Sequence, residues 1–367
     1  MLAYGSDNLG LPRGRGLRAR RIDLVRSGSR SPKLTRNPSN AGTTARSDDQ
    51  SQPLLDVRAL TVGIGRDGYR LVDGISFSLR AGETLGIVGE SGCGKSLTSL
   101  ALMGLLHGGL SASGAILFGG VDLLTLTASD MRDLRGNRLA MIFQDPMTSL
   151  NPALTVGYQI AESLIRHRRI GRIEARERAI ELLCKVKLPA AERRFDAYPH
   201  QLSGGMRQRV MIAMALICNP ALLIADEPTT ALDVTVQAQI LDLLRELRDD
   251  LGSAMIFISH DLGVVAENAD HVAVLYAGRI VEQGPTRSVF EHPQHPYTIG
   301  LMGSIPRVDV VQEWLPTIPG SLPIASDPPP GCRFAPRCPF ADAVCDRDPP
   351  LIELRPDHSA ACWKAPL

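Results

Sequence analysis

Gly89-Glu90-Ser91-Gly92-Cys93-Gly94-Lys95-Ser96 is the stretch whose reading decides the fold. It follows the apolar run Thr84 to Val88, which predicts a buried strand, and opens the apolar segment Leu97 to Leu106, which predicts a helix. Strand, glycine-rich turn and helix form the context in which such a loop cradles phosphate. Glycines let the backbone turn tightly, so several N–H groups converge on an anion with no Cβ in the way. The following helix adds its positive N-terminal end. Gly89, Ser91, Gly92, Cys93, Gly94, Lys95, Ser96 and Leu97 are therefore the candidate nucleotide-binding residues here. Lys95 would reach the β/γ-phosphates, and the Ser96 hydroxyl would ligate Mg²⁺. The alternative, a strand–helix turn that binds nothing, is disfavoured because every position of the pattern is filled in the right setting.

Working outward, 367 residues hold one large or two ordinary domains, and 44% hydrophobic content is enough for a sizeable core. The formal net charge of +1 gives the whole chain no bias toward nucleic acid or anionic lipid. The first fifty residues are the exception, with ten basic residues against four acidic. Residues 1–52, rich in Arg, Ser, Gly and Asn without apolar periodicity, read as a disordered basic extension. No apolar run approaches the roughly 18 residues of a membrane span. The longest, Val210 to Cys218, stops at Asn219-Pro220. No signal-peptide core is evident at the N-terminus, so a disulfide framework is not expected and any membrane-spanning helices must come from other chains.

Further strands are expected at Leu54 to Val62, Ile75 to Leu79, around Met141 to Phe143, at Ala221 to Ala225 and at Met255 to Ser259. Polar residues stand at the ends of three of them: Gln144, the pair Asp226-Glu227, and His260. Carboxylates closing a buried strand are costly unless they serve a metal or a reaction. Asp226 is accordingly a Mg²⁺ ligand candidate and Glu227 the candidate base for an attacking water. His260 sits where ligand sites cluster in parallel sheets. Tyr69 could stack on an adenine or be an ordinary strand residue. Between Thr155 and Leu188 apolar residues recur at helical spacing, with Ala175, Ala179, Leu182, Leu183 and Val186 on one face. Ser203-Gly204-Gly205 opens another helix as a second anion-binding turn. Val236, Ile240, Leu243, Leu244, Leu247 and Leu251 form the buried face of a helix after the turn that ends at Asp233. The alternation of buried strands and helices predicts an α/β core with a mixed, mostly parallel sheet.

This ordered set resembles the ATP-binding cassette (ABC) family, a branch of the P-loop NTPases. The resemblance assigns Walker A to Gly89–Ser96, the Q-loop to Gln144, the signature to Leu202-Ser203-Gly204-Gly205-Met206, Walker B to Leu222–Glu227, the D-loop to Asp233 and the switch histidine to His260. It implies a cassette over residues 53–285, a helical subdomain at about 145–205, and a small Cys/Pro-rich C-terminal domain over 286–367. Phe143 to Pro152, Tyr198-Pro199-His200-Gln201 and His292 to Thr298 narrow it to the dipeptide/oligopeptide importer ATPases of prokaryotes, with nickel and glutathione importers as relatives. Met206 departs from the glutamine of the general signature.

The resemblance implies catalytic roles for Glu227, His260 and Gln144, with Ser96, Gln144 and Asp226 around Mg²⁺. It further implies a head-to-tail pair with a second, paralogous ATPase subunit, in which Ser203, Gly204, Gly205 and Asp233 of this chain face the ATP on the partner's phosphate loop. Two transmembrane permease subunits and an extracytoplasmic solute-binding protein would complete the assembly, with this chain peripheral on the cytoplasmic face of the inner membrane. A soluble cassette ATPase acting on nucleic acid or ribosomes is the rival reading, and nucleic acid is not expected as a partner.

The proline-rich tail carries Cys332-x₅-Cys338-x₆-Cys345-x₁₆-Cys362. Four thiolates can hold an iron–sulfur cluster or zinc, or remain free thiols, and no pair has the tight spacing usual for structural zinc. The subfamily resemblance implies a [4Fe–4S] cluster.

Overall fold

The computed structural model describes residues 52–65, 68–230, 232–304 and 317–367, without the side chains of residues 146 and 147. All but the last residue of the expected basic extension lies outside the described residues, as does Ala231 of the D-loop turn. In chain order the strands are β1 (Leu55–Ile64), β2 (Arg70–Leu79), β3 (Thr84–Val88), β4 (Leu110–Phe118), β5 (Val121–Asp122), β6 (Leu139–Ile142), β7 (Leu222–Asp226), β8 (Ala254–Ser259), β9 (His271–Tyr276), β10 (Arg279–Pro285), β11 (Ile352–Arg355) and β12 (His358–Ala360).

Eight of them form one sheet in the order β11-β12-β10-β9-β3-β8-β7-β6. The run β9-β3-β8-β7-β6 is parallel, and β10, β12 and β11 extend it antiparallel. Every residue of β3, β6, β7 and β8 is buried, because one face packs against helices and the other against helix Lys95–Leu102 and the antiparallel strands β1, β2 and β4. β2-β1-β4-β5 make a separate antiparallel sheet. In β1 a register shift beside Ala59, which has a φ of 47°, brings Leu60 and Val62 to the buried face. Without that bulge, strict alternation would turn Ala59 and Thr61 inward instead.

Helices Val156–Arg168 and Arg172–Lys185 lie where the helical spacing falls, and helix Gly204–Leu216 packs against both. Ala175, Ala179, Leu183 and Val186 are fully buried there, and Leu182 is half-buried. A Cβ on Gly157 would stand 2.3 Å from the Phe195 ring, so glycine lets the two close on each other. Gln159 ties the loop after β6 to these helices, accepting from the Asn151 N–H at 2.9 Å and donating to the Asn151 and Leu154 carbonyls at 3.1 Å each.

The C-terminal segment joins the main sheet: Glu282 of β10 stands opposite Ala360 of β12. The join is fastened by a buried pair. Glu282 and His358, both fully buried, meet at 2.8 Å, and Glu282 also accepts from the Gln294 and His295 N–H groups at 2.6 and 3.0 Å. Among the described residues no helix is long and apolar enough to cross a membrane.

Candidate active site

The candidate residues gather at the carboxyl ends of adjacent parallel strands, the usual place for ligands in such sheets. The phosphate loop follows β3, Gln144 stands two residues beyond β6, Asp226 ends β7, and His260 follows β8. Two glycines of the loop are required by geometry. At Gly89 (φ 151°) a Cβ would lie 2.1 Å from the Leu275 carbonyl oxygen. Gly94 (φ 110°) precedes helix Lys95–Leu102 and supplies no side-chain cap, so its N-terminal N–H groups stay open to an anion.

Lys95, almost fully buried, folds back over the loop and donates to the carbonyls of Gly89 (2.7 Å) and Glu90 (3.1 Å). Burial pushes the Cys93 thiol up to about 11, so it is protonated at neutral pH and no nucleophile. Asp226 is buried, accepting from the hydroxyls of Ser96 at 3.2 Å and Ser99 at 3.3 Å. Burial raises its carboxyl above the ordinary range. Among the described residues it has no ion-pair partner, and a desolvated carboxylate beside a hydroxyl is a hard-oxygen set that suits Mg²⁺.

Glu227 takes a φ of 47°, a left-handed conformation costly for a residue with a Cβ. Its Oε2 accepts from Gln144 Nε2 and Thr230 Oγ1, both at 2.9 Å, and stands 3.7 Å from His260 Nδ1. The His260 side chain is exposed at 65%. Gln144, Glu227 and His260 are thus brought together, with the amide of Gln144 turned to the carboxylate.

Ser203, Gly204, Gly205 and Asp233 sit elsewhere. Ser203 caps helix Gly204–Leu216 by accepting from the Met206 N–H, and Asp233 caps helix Val234–Leu251 by accepting from the Val236 N–H at 3.0 Å. With Leu232 and Val236 they line a cavity of about 760 Å³ that includes no residue of the phosphate loop. One chain therefore carries two separate surfaces. Tyr69 is exposed in the β1–β2 turn, two residues before Leu71, whose carbonyl approaches Gly94.

The cysteine tail calls for a correction. Cys332, Cys338, Cys345 and Cys362 are free, and the field of neighbouring sulfurs reaches Cys332, Cys338 and Cys362. Among the described residues, however, no three Cys, His, Asp or Glu side chains form a group able to hold a metal ion. Burial raises the thiols of Cys332, Cys338 and Cys362 above the ordinary value. The iron–sulfur reading is not supported. The tail is fastened by arginines instead: Arg333 reaches Asp73 at 2.5 Å and the Ala277 carbonyl at 2.5 Å, and Arg337 reaches Glu90 at 3.0 Å.

Several residues of the site escaped the sequence reading. Ser99 follows Ser96 by three positions, so helical spacing alone puts both hydroxyls on one face. Thr230 stands three residues after Glu227. Gln208, almost fully buried, donates to the Pro228 carbonyl at 2.5 Å and ties the signature helix to the strand-end loop. Tyr297 and Arg337 reach Glu90 from far along the chain, and no local pattern announces them.

The ABC transporter family profile matches residues 72–230, and that of the oligopeptide/dipeptide transporter C-terminal region matches residues 281–345. A probable peptide ABC transporter ATP-binding protein of Sinorhizobium fredii is 54% identical over 325 residues, 87% of this chain and 97% of the relative. The oligopeptide transport ATP-binding protein OppD of Escherichia coli is 52% identical over 324 residues, 88% and 96% of the two chains. Among solved structures, a dimeric ATP-binding cassette in a post-hydrolysis state with ADP and Pi superposes with a TM-score of 0.57 at 28% identity, covering 64% of this chain and 99% of that one. The chain belongs to the ATPase subunits of the ATP-binding cassette transporter family, in its oligopeptide/dipeptide transporter branch.

Proposed function

We propose that this chain hydrolyses ATP to drive import of peptides through a membrane permease, as one of two cassettes closing head to tail. The observation that carries this reading is the division of the site. The phosphate loop, Asp226 and Glu227 stand together, while Ser203–Gly205 and Asp233 line a separate cavity, so each chain supplies half of two composite sites. Relatives named for peptide, oligopeptide and dipeptide transport support peptide as the cargo. The partners would be a second, paralogous ATPase subunit, two permease subunits and an extracytoplasmic binding protein, with this chain peripheral on the cytoplasmic membrane face.

In that assembly the N–H groups of the loop and Lys95 hold the β/γ-phosphates, for which Lys95 gives up its contacts to the loop carbonyls. Ser96 and Asp226 would hold Mg²⁺, whose contribution is to neutralise charge between the β- and γ-phosphates. Glu227 accepts the proton of the attacking water, and Thr230 and Gln144 fix its carboxylate. His260, exposed beside Glu227, is free to bond the γ-phosphate. Closure follows from ATP binding the paired state better than the open one. No step requires the cysteine tail to hold a metal.

The test is reconstitution of the whole importer in proteoliposomes. ATP-dependent uptake of labelled peptide, abolished by Lys95→Ala, is expected. Uptake of nickel or glutathione with no peptide transport would refute the cargo, and Mg-ATP hydrolysis independent of the permease and stimulated by nucleic acid would refute the importer.

A further inference from the structure

Glu90 is the one carboxylate within Gly89–Ser96, a stretch whose task is to attract an anion. All three of its polar groups are engaged. Its carbonyl accepts from Lys95 at 3.1 Å and from the Cys93 N–H at 3.2 Å. Its N–H donates to the hydroxyl of Tyr297 at 2.9 Å. Both carboxylate oxygens accept from Arg337 Nη1 at 3.0 Å. Two of the four partners, Tyr297 and Arg337, therefore come from the C-terminal side of the cassette.

Arg337 is itself held in place. It donates through Nε to the Pro319 carbonyl at 2.8 Å and through Nη2 to the Ile318 carbonyl at 3.3 Å. It also meets the Tyr276 hydroxyl at 3.4 Å, and its side chain is only 6% exposed. Tyr276 packs edge-on against Tyr297 with ring centroids 4.6 Å apart, so both partners of Glu90 share one aromatic cluster. Such a buried, pre-fixed guanidinium interacts more strongly than a surface ion pair.

We propose that Arg337 is a positioning residue for the nucleotide: it holds and neutralises the Glu90 carboxylate, so that the phosphate loop presents positive rather than mixed potential to ATP. The proposal rests on the ATPase reading above and adds to it a long-range control of nucleotide affinity by the C-terminal segment. Without Arg337 the Glu90 charge stays on the loop with no counter-ion and repels the triphosphate. A mere clamp between tail and cassette would behave differently, because its loss would be indifferent to whether Glu90 keeps its charge.

The experiment uses the full chain and measures equilibrium binding of trinitrophenyl-ATP, together with the KM and kcat of ATP hydrolysis in the assembled importer. Arg337→Gln is expected to weaken binding and raise KM about tenfold with kcat little changed, as loss of ground-state binding requires. Arg337→Lys, which keeps the charge, should recover most of that loss. Glu90→Gln added to Arg337→Gln should also restore affinity, although the ion pair is still absent and the melting temperature stays low. Unchanged affinity in Arg337→Gln, or a double variant as weak as the single, overturns the proposal. Should Arg337→Gln fail to fold, Arg337→Lys and the Arg337→Gln/Glu90→Gln pair decide: near-wild-type affinity in both supports the proposal, and weakened binding in either overturns it. A wild-type protein that binds no ATP defeats the ATPase reading itself, whereas normal wild-type binding with an unaffected Arg337→Gln defeats only this inference.

Discussion

Gln144 Nε2 lies 2.9 Å from Glu227 Oε2, so the residue that follows β6 rests on the carboxylate that follows β7. With Thr230 bonded to the same oxygen, Glu227 is oriented before any substrate arrives. The left-handed backbone at Glu227 is the strain that buys this placement.

Glu227→Gln should therefore keep the shape of the site and lose its proton acceptor. Nucleotide binding is expected to persist while kcat falls about 10²–10⁴-fold, the usual worth of general base catalysis. Single-turnover hydrolysis by the assembled importer measures it. Turnover near the wild-type rate would exclude Glu227 as the base.

Asp226→Asn should separate stability from function. The Asp226 carboxyl is raised by burial, so its favourable protonated form is lost as pH rises through the folded-state value, and at neutral pH the buried charge burdens the nucleotide-free protein. The variant should melt higher than wild type without nucleotide, by a margin that grows from acid to neutral pH, yet lose Mg²⁺-dependent hydrolysis. Scanning calorimetry across pH, with and without Mg-ATP, checks both halves.

His295 is buried and its imidazole is pushed down to about 3 from 6.5. Its Nδ1 accepts from the Tyr297 N–H at 3.1 Å, a role only the neutral ring can fill. Below pH 6.5 the unfolded chain binds a proton that the folded protein refuses, so stability falls on acidification by up to about 1.4 kcal/mol per pH unit. His295→Asn keeps an acceptor at that helix cap and removes the titration. Urea unfolding between pH 7 and 5 should show a shallower acid loss in the variant, and parallel curves would rule the mechanism out.

Glu282→Ala would leave His358 and the N–H groups of Gln294 and His295 without their buried acceptor. A loss of about 3–5 kcal/mol is expected, in line with breaking one side of a buried pair. β12 should then leave β10. Limited proteolysis ought to clip the C-terminal segment while the cassette stays intact, and resistance equal to wild type would argue against the pair as fastener.

Much of the candidate site was legible because its residues fall in local patterns. Gly89 to Ser96 announces itself through glycine spacing between an apolar strand and helix, and Asp226-Glu227 through charge at the end of an apolar run. The face Ala175, Ala179, Leu183 and Val186 followed from periodicity. The antiparallel β2-β1-β4-β5 sheet was only half visible: β1 and β2 were expected from composition, whereas the Ser, Ala and Gly at the start of β4 give no apolar alternation to mark it. Illegible altogether were Arg337 on Glu90, Tyr297 on the same residue and Gln208 on Pro228. Each joins segments that only the assembled sheet brings near. The tail misled for a related reason: four cysteines suggested a metal staple, whereas Arg333 and Arg337 hold the segment through partners that no spacing rule connects to them.

The central position of β3, between β8 and β9, bears on how the protein is made. The strand that carries the phosphate loop emerges from the ribosome early, but its neighbours Met255–Ser259 and His271–Val274 are synthesised long afterwards. Until then its backbone groups lack their sheet partners and its apolar faces their cover, so this strand cannot take its native place before β8 and β9 emerge. ATP can only become a folding ligand once β9 has been translated, which makes nucleotide a late stabiliser of biogenesis rather than a template for it.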